Sequence, residues 1–373
     1  MAKSRALTRA EPFQTEVLAA FAPAAGTPRS PSAAGERIPS EPALARAAGW
    51  LGRSLPVVIP TETVYGLAAP VLDRAAVEAV FAIKQRPLDN PLIAHVAELD
   101  QLALLGTRLT NLAARLAEAF WPGPLTLVLP TDAQLPWVTA GLDSIAVRQP
   151  RHEFALALIR RAGPLAAPSA NLSGLPSPTR ASHALQDLRG RVPLIIDGGD
   201  LAHGLESTVI DARGEQPILL RPGALSAEEV EACCGRALST PDGDSRIRSP
   251  GMKYRHYSPR AELWLYPPAS AHSAAATQLC EDARELRARG RSVAVIASQH
   301  VEADHFIALP SEPAQIARQL FRWLRELDER GVHYVLIESV SPSGVGRAIM
   351  DRLERAASRV RRSERTPAPL EVT

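Results

Sequence analysis

Two short stretches carry residue types that a hydrophobic core does not call for. Pro60-Thr61-Glu62-Thr63-Val64-Tyr65-Gly66-Leu67 follows the apolar run Leu55–Ile59. One helix later comes Lys84-Gln85-Arg86-Pro87-Leu88-Asp89-Asn90-Pro91-Leu92. Hydroxyls, carboxylates, two cations and an amide at this density suit a small, highly polar ligand. Strand alternation puts Thr61 and Thr63 on one face and Glu62 on the other. Two hydroxyls there suit an amino-acid substrate, and they equally suit a turn closed by side-chain-to-backbone bonds. Arg86 offers a planar fork for phosphate and Lys84 a mobile point charge. Pro87 and Pro91 stiffen the backbone between them; a solvated charged loop has the same composition.

Further candidates follow along the chain. His95 sits on an apolar strand, where a histidine is either a satisfied core residue or a ligand. Ser144–Arg148 reads as a strand whose last residue, Arg148, lies where α/β sheets place ligand groups. Ala167-Pro168-Ser169-Ala170-Asn171-Leu172-Ser173-Gly174, then Ser177-Pro178-Thr179, is dense in small hydroxyls and turn formers. Such a loop cradles anionic oxygens with N–H and hydroxyl groups, or is simply a loop. Ser207 enters a strand and Arg221 leaves one. Tyr254, His256 and Tyr257 suit stacking on a base, or packing a linker.

The elements that must position these groups alternate. A helix near 42–51 feeds the strand Leu55–Ile59, and Asp73 is placed to cap a helix over Ala75–Lys84. Strands are expected at Pro91–Val96, Leu125–Leu129, Ser144–Arg148, Leu165–Ala167, Leu194–Asp197, Ser207–Asp211 and Ile218–Leu220. Helices are expected over 111–120 and Phe154–Ala162. This describes an α/β domain over 42–238 with a mixed sheet. Residues 239–260 read as a linker by composition. From 261 to 365 a second alternation begins, with strands Glu262–Tyr266, Val293–Ala297 and Tyr334–Glu338, and suggests a small Rossmann-like, doubly wound parallel domain. Residues 1–41, rich in Ala, Pro, Ser and Arg, read as a disordered tail with a short amphipathic piece near Phe13–Phe21; 366–373 form a second tail.

Composition excludes several classes. The 373 residues carry a formal charge of +2, which offers no global field for nucleic acid or an anionic membrane. Three cysteines without a C-x-x-C support neither a zinc module nor a disulfide framework and fit a reducing, cytoplasmic setting. No run is long and apolar enough for a membrane span. There is no G-x-x-x-x-G-K-[ST], no H-E-x-x-H and no G-x-S-x-G elbow, and Gly344-x-Gly346 lacks the third glycine of a dinucleotide fingerprint.

Taken in order, P-T-E-T-V-Y-G-L, K-x-R-P-x-x-N-P-L, W-P-G-P-L-T, I-A-V-R-x-P, P-S-A-N-x-S-G, E-S-T-V-I-D and R-P-G-A closely resemble the YrdC-type threonylcarbamoyl-AMP synthases. Ser249–Pro259 and the second domain resemble the long, two-domain form. The resemblance covers about 42–365. It implies a twisted mixed sheet around a concave, positively lined cavity. It also implies a nucleotidyltransferase that makes L-threonylcarbamoyladenylate from L-threonine, bicarbonate and ATP, releasing pyrophosphate, for a downstream transferase that modifies tRNA. Thr61, Thr63, His95, Arg148 and Ser207 then fall on the threonine side. Arg86, Asn90, Ser144, Ser169, Asn171, Ser177, Arg221 and Tyr257 fall on the ATP side. Lys84 and Arg86 take the catalytic role of offsetting phosphate charge. Magnesium is expected with ATP and no protein metal site. An RNA-binding or regulatory protein of the same fold without catalysis is the alternative, with weak RNA contact. The related carbamoyltransferase of hydrogenase maturation carries paired C-x-x-C modules that this chain lacks.

Overall fold

The computed structural model describes residues 12–22, 37–241, 256–268 and 273–361. The polypeptide first forms β1 (Glu16–Ala19), α1 (Glu41–Leu51), β2 (Val57–Ile59), β3 (Gly66–Pro70), α2 (Arg74–Lys84) and β4 (Ile93–His95). There follow α3 (Asn111–Phe120), β5 (Leu125–Pro130), α4 (Pro136–Thr139), β6 (Ser144–Arg148), α5 (Glu153–Ala162) and β7 (Leu165–Ala166). The first domain closes with α6 (Ala181–Leu188), β8 (Leu194–Asp197), β9 (Thr208–Asp211), β10 (Ile218–Arg221) and α7 (Ala227–Cys234).

Its ten strands make one mixed sheet, ordered β1-β8-β2-β3-β7-β4-β6-β5-β9-β10. Apolar residues cover both faces of the central strands β2 to β7, whereas the edge strand β1 alternates half-buried and exposed residues. Val57 and Ile59 face α1 and α5, while Val58 and Leu67 face α2 and α3. Local chemistry sets the helix starts: Asp73 accepts from the Ala76 N–H at 3.1 Å and Thr110 from the Ala113 N–H at 3.1 Å.

The second domain holds β11 (Glu262–Tyr266), α8 (Ala274–Ala288), β12 (Val293–Ala297), β13 (His305–Ala308), α9 (Pro313–Glu329), β14 (Tyr334–Glu338), α10 (Gly346–Ala356) and β15 (Arg359–Val360). Its sheet, β13-β12-β14-β11-β15, is parallel throughout. α9 and α10 cover one face and α8 the other. Among the described residues, no helix is long and apolar enough to cross a membrane.

The two domains interlock. Leu205 of the first lies in the apolar core of the second. Gly204, at φ +73°, lies so close to α9 that a Cβ there would meet Arg318 Cα at 2.5 Å. Only glycine fits both that backbone and that gap. Arg325 of α9 donates to the Pro176 carbonyl and pairs with Asp187 at 2.8 Å.

Two expectations need correction. Residues 16–19 of the supposed disordered tail form β1, because their backbone pairs in parallel with β8, Glu16 to Leu194 through Ala19 to Asp197. Residues 60–64 do not continue β2 as a strand; they form a turn, so Thr61 and Thr63 do not alternate with Glu62. The outer tail and Met252–Arg255 of the linker lie outside the described residues.

Candidate active site

The turn after β2 is built by its own hydroxyl. Thr61 Oγ1 donates to the Val64 carbonyl at 2.7 Å and accepts from the Thr63 and Val64 N–H groups at 3.2 and 3.3 Å. Thr61 is therefore spent on the turn. That turn sends Glu62 inward. Its Oε1 lies 2.7 Å from Arg148 Nη2, with both side chains buried. The contact is close but the N–H is not aimed along it, so attraction of charge dominates and Nη2 makes no hydrogen bond among the described residues. Burial alone would raise the Glu62 pKa; the adjacent Arg148 charge outweighs it and holds the carboxylate low. Arg148 also donates to Thr63 Oγ1 at 2.9 Å and to the Gly123 carbonyl at 3.1 Å.

β4 and β6 pair in parallel with His95 opposite Arg148, so both side chains reach the same sheet end. Burial, reinforced by Arg148, lowers the His95 pKa to about 3, and the ring is neutral. Gln85 ends α2 in the left-handed region, φ +53°, and turns Arg86 back toward the sheet. Arg86 donates to the Asn90 and Pro91 carbonyls at 3.3 and 3.0 Å. Burial, with Arg221 nearby, brings its pKa to about 10, still a cation at neutral pH. On the far side, Arg221 donates to Ser207 O and Oγ at 2.9 and 3.2 Å, and Thr126 fixes the same hydroxyl at 2.7 Å. Gly223 permits this crossing: a Cβ there would lie 2.3 Å from the Ser207–Thr208 backbone.

These groups enclose one cavity of about 60 Å³. Thr63, His95, Arg148 and Ser207 line it on one side; Arg86, Ser169, Asn171, Ser177, Arg221 and Tyr257 complete it. Thr61, Lys84, Asn90 and Ser144 are buried but do not line it. Lys84 stands behind the wall, its ammonium donating to the Ser169 carbonyl and, at 2.6 Å, to that of Asn171. Burial and the Arg86 charge push its pKa well down. Asn171 donates to the Leu172 and Leu175 carbonyls at 2.7 and 2.9 Å. Its Oδ1 has no partner among the described residues.

Tyr257 closes the cavity from the linker. Its φ of +64° is an unfavourable region for a bulky residue. Its ring is held in compensation, stacked on Phe321 of α9 at 5.3 Å and 5.2 Å from the Arg352 guanidinium. His256, read from sequence as a stacking or packing residue, also lines the cavity; Glu62 and Glu206 are not among the site residues expected from sequence. Glu206 directly precedes Ser207, and its place in E-S-T-V was the available signal; no local pattern announces the inward turn of Glu62.

A family model for the Sua5/YciO/YrdC domain, described as telomere recombination, matches residues 51–223. A second, described as the C-terminal domain of threonylcarbamoyl-AMP synthase, matches 225–358. The threonylcarbamoyl-AMP synthase of Pyrococcus abyssi is 45% identical over 317 residues, spanning 83% of this chain and 93% of the relative. That of Bacillus subtilis is 42% identical over 332 residues, spanning 85% and 94%. The crystal structure of P. abyssi Sua5 complexed with L-threonine superposes with a TM-score of 0.81 at 43% identity, covering 88% of this chain and 98% of that one. Sequence motifs, two-domain layout and three-dimensional likeness agree, and the chain belongs to the Sua5/YrdC family of threonylcarbamoyl-AMP synthases in its two-domain form.

Proposed function

We propose that the protein joins L-threonine, bicarbonate-derived carbon dioxide and ATP into threonylcarbamoyl-AMP, with release of pyrophosphate. The observation that carries this reading is the single cavity into which Thr63, His95, Arg148 and Ser207 converge with Arg86, Ser169, Asn171, Ser177 and Arg221. The neutral threonine amine adds to carbon dioxide and loses a proton, giving a carbamate. A carbamate oxygen then attacks the α-phosphorus, the bond to the bridging oxygen breaks, and pyrophosphate departs. No protein nucleophile is needed; the protein aligns two anions and offsets charge on the phosphates.

Arg148 takes the threonine carboxylate through the N–H left unaligned beside Glu62. Neutral His95, next to it, adds no charge against the amine. Arg86 and Arg221 face the phosphates, and Asn171 Oδ1 is an acceptor for the nucleotide. Among the described residues no cluster of His, Cys, Asp or Glu fits a metal ion. Magnesium accompanying ATP is held by phosphate and water. Sites for such ligands are roughly 300–1,000 Å³, so the segment of His256 and Tyr257 swings outward to admit ATP and closes over it.

The test is direct: the protein is incubated with L-threonine, bicarbonate and ATP, and the adenylate is sought by mass alongside pyrophosphate. Arg86→Ala, folded by circular dichroism, is expected to form neither. Absence of adenylate with the wild-type protein, or normal turnover by Arg86→Ala, counts against this reading or against the Arg86 role, respectively.

A further inference from the structure

Glu206 is the one carboxylate among the described residues lining the cavity. A negative group beside a site for a triphosphate is a liability unless it is neutralised. Its neutralising partner comes from the other domain. Arg352 of α10, its side chain 0% exposed, donates through Nε to Glu206 Oε2 at 3.0 Å. Glu206 Oε1 accepts the hydroxyl of Ser177, another cavity residue. Arg352 Nη1 donates to the Pro222 carbonyl at 2.8 Å and to Asp351 at 2.6 Å, and Asp351 is itself held by Arg355 at 2.9 Å. The same guanidinium lies 5.2 Å from the Tyr257 ring centroid.

One side chain thus touches the cavity's acid, the carbonyl beside Arg221 and the closing tyrosine. A buried ion pair contributes little net stability over an apolar pair of the same shape, so stability alone does not account for it. We propose that Arg352 is a positioning residue for the nucleotide: the second domain supplies the charge that cancels Glu206 and keeps Ser177 and Tyr257 in place. This rests on the reading that the cavity takes ATP. Glu206 stays ionised, because Arg352 and Arg221 outweigh the burial that would otherwise raise its pKa. A proton therefore does not do the work of Arg352 at neutral pH.

The test uses the full chain and measures ATP and L-threonine binding by calorimetry, without turnover. Arg352→Leu leaves Glu206 unpaired, and ATP affinity is expected to fall at least about tenfold. Threonine affinity stays within about twofold. Adding Glu206→Gln to Arg352→Leu removes the orphan charge and is expected to recover most of the lost ATP affinity. Unchanged ATP binding by Arg352→Leu, an equal loss for both substrates, or no recovery in the double variant overturns the proposal. Should Arg352→Leu fail to fold, the double variant decides: ATP affinity within about threefold of wild type supports the proposal, and a tenfold loss overturns it. A wild-type protein that binds ATP but forms no adenylate fails the proposed function and leaves this test standing. A wild-type protein that binds no ATP overturns both.

Discussion

The ammonium of Lys84 sits 2.6 Å from the carbonyl oxygen of Asn171, behind the wall of the cavity. With the Ser169 carbonyl as its second acceptor, Lys84 holds the 169–171 loop from beneath. Lys84→Met is expected to lower stability by roughly 2–4 kcal/mol, since two buried carbonyls lose their donor. It should also speed amide exchange over 169–175 before any nucleotide is added. Unaltered exchange there, with ATP binding still lost, would return Lys84 to a direct phosphate role.

Glu62 and Arg148 are each other's counter-ion. Glu62→Gln leaves Arg148 buried and uncompensated, at a cost of roughly 3 kcal/mol in chemical denaturation. The threonine carboxylate then becomes the missing anion, and ligand binding adds to stability by mass action. L-Threonine should accordingly raise the melting temperature of Glu62→Gln more than that of the wild type. Equal shifts would show that Arg148 does not meet the carboxylate.

Tyr257 combines a left-handed backbone with a stack on Phe321. Loss of one aromatic platform for a base costs roughly 1–3 kcal/mol. Tyr257→Ala is therefore expected to weaken ATP binding about tenfold, while Tyr257→Phe stays near wild type. Loss of affinity in the Phe variant would shift the role from the ring to the hydroxyl.

Burial lowers the pKa of His95 to about 3 and of His152, His183 and His256 to about 4. In the unfolded chain they titrate near 6.5. Between these values the unfolded state binds more protons, so stability falls as pH drops from about 6.5 toward 4. Denaturation at pH 7 and pH 5 should differ by roughly 2 kcal/mol or more, with pH 7 the more stable. Glu62 and Glu206, both held low, add a loss in the same direction at still lower pH. A flat profile from pH 7 to 5 would mean the histidines are charged in the fold.

What the sequence disclosed follows the range of the forces involved. Asp73, Thr110 and the apolar runs ending in Arg148 and Asp197 act through near neighbours, and the elements they mark fall within a residue or two of expectation. The motif order also drew most of the cavity lining, because those residues follow strand or helix ends. β1 was legible only as a short amphipathic piece near Phe13–Phe21, not as a strand: its alternate residues are only half-buried and its partner strand lies far along the chain. The inward turn of Glu62 depends on Thr61 folding the backbone on itself, which strand periodicity does not anticipate. Arg352 and Glu206 are 146 positions apart, and nothing near either one names the other.

The pairing of β1 with β8 sets an order of events during synthesis. Thr15 finds its partner, the Val192 carbonyl, 177 residues later. At roughly 5–20 residues per second on the ribosome, that is on the order of ten seconds or more of waiting. Strands β2 to β7 can assemble in that interval, and this edge of the sheet closes only after they have been made. A nascent chain halted before residue 194 should carry β1 as an open, protease-sensitive end, and one released beyond 197 should not.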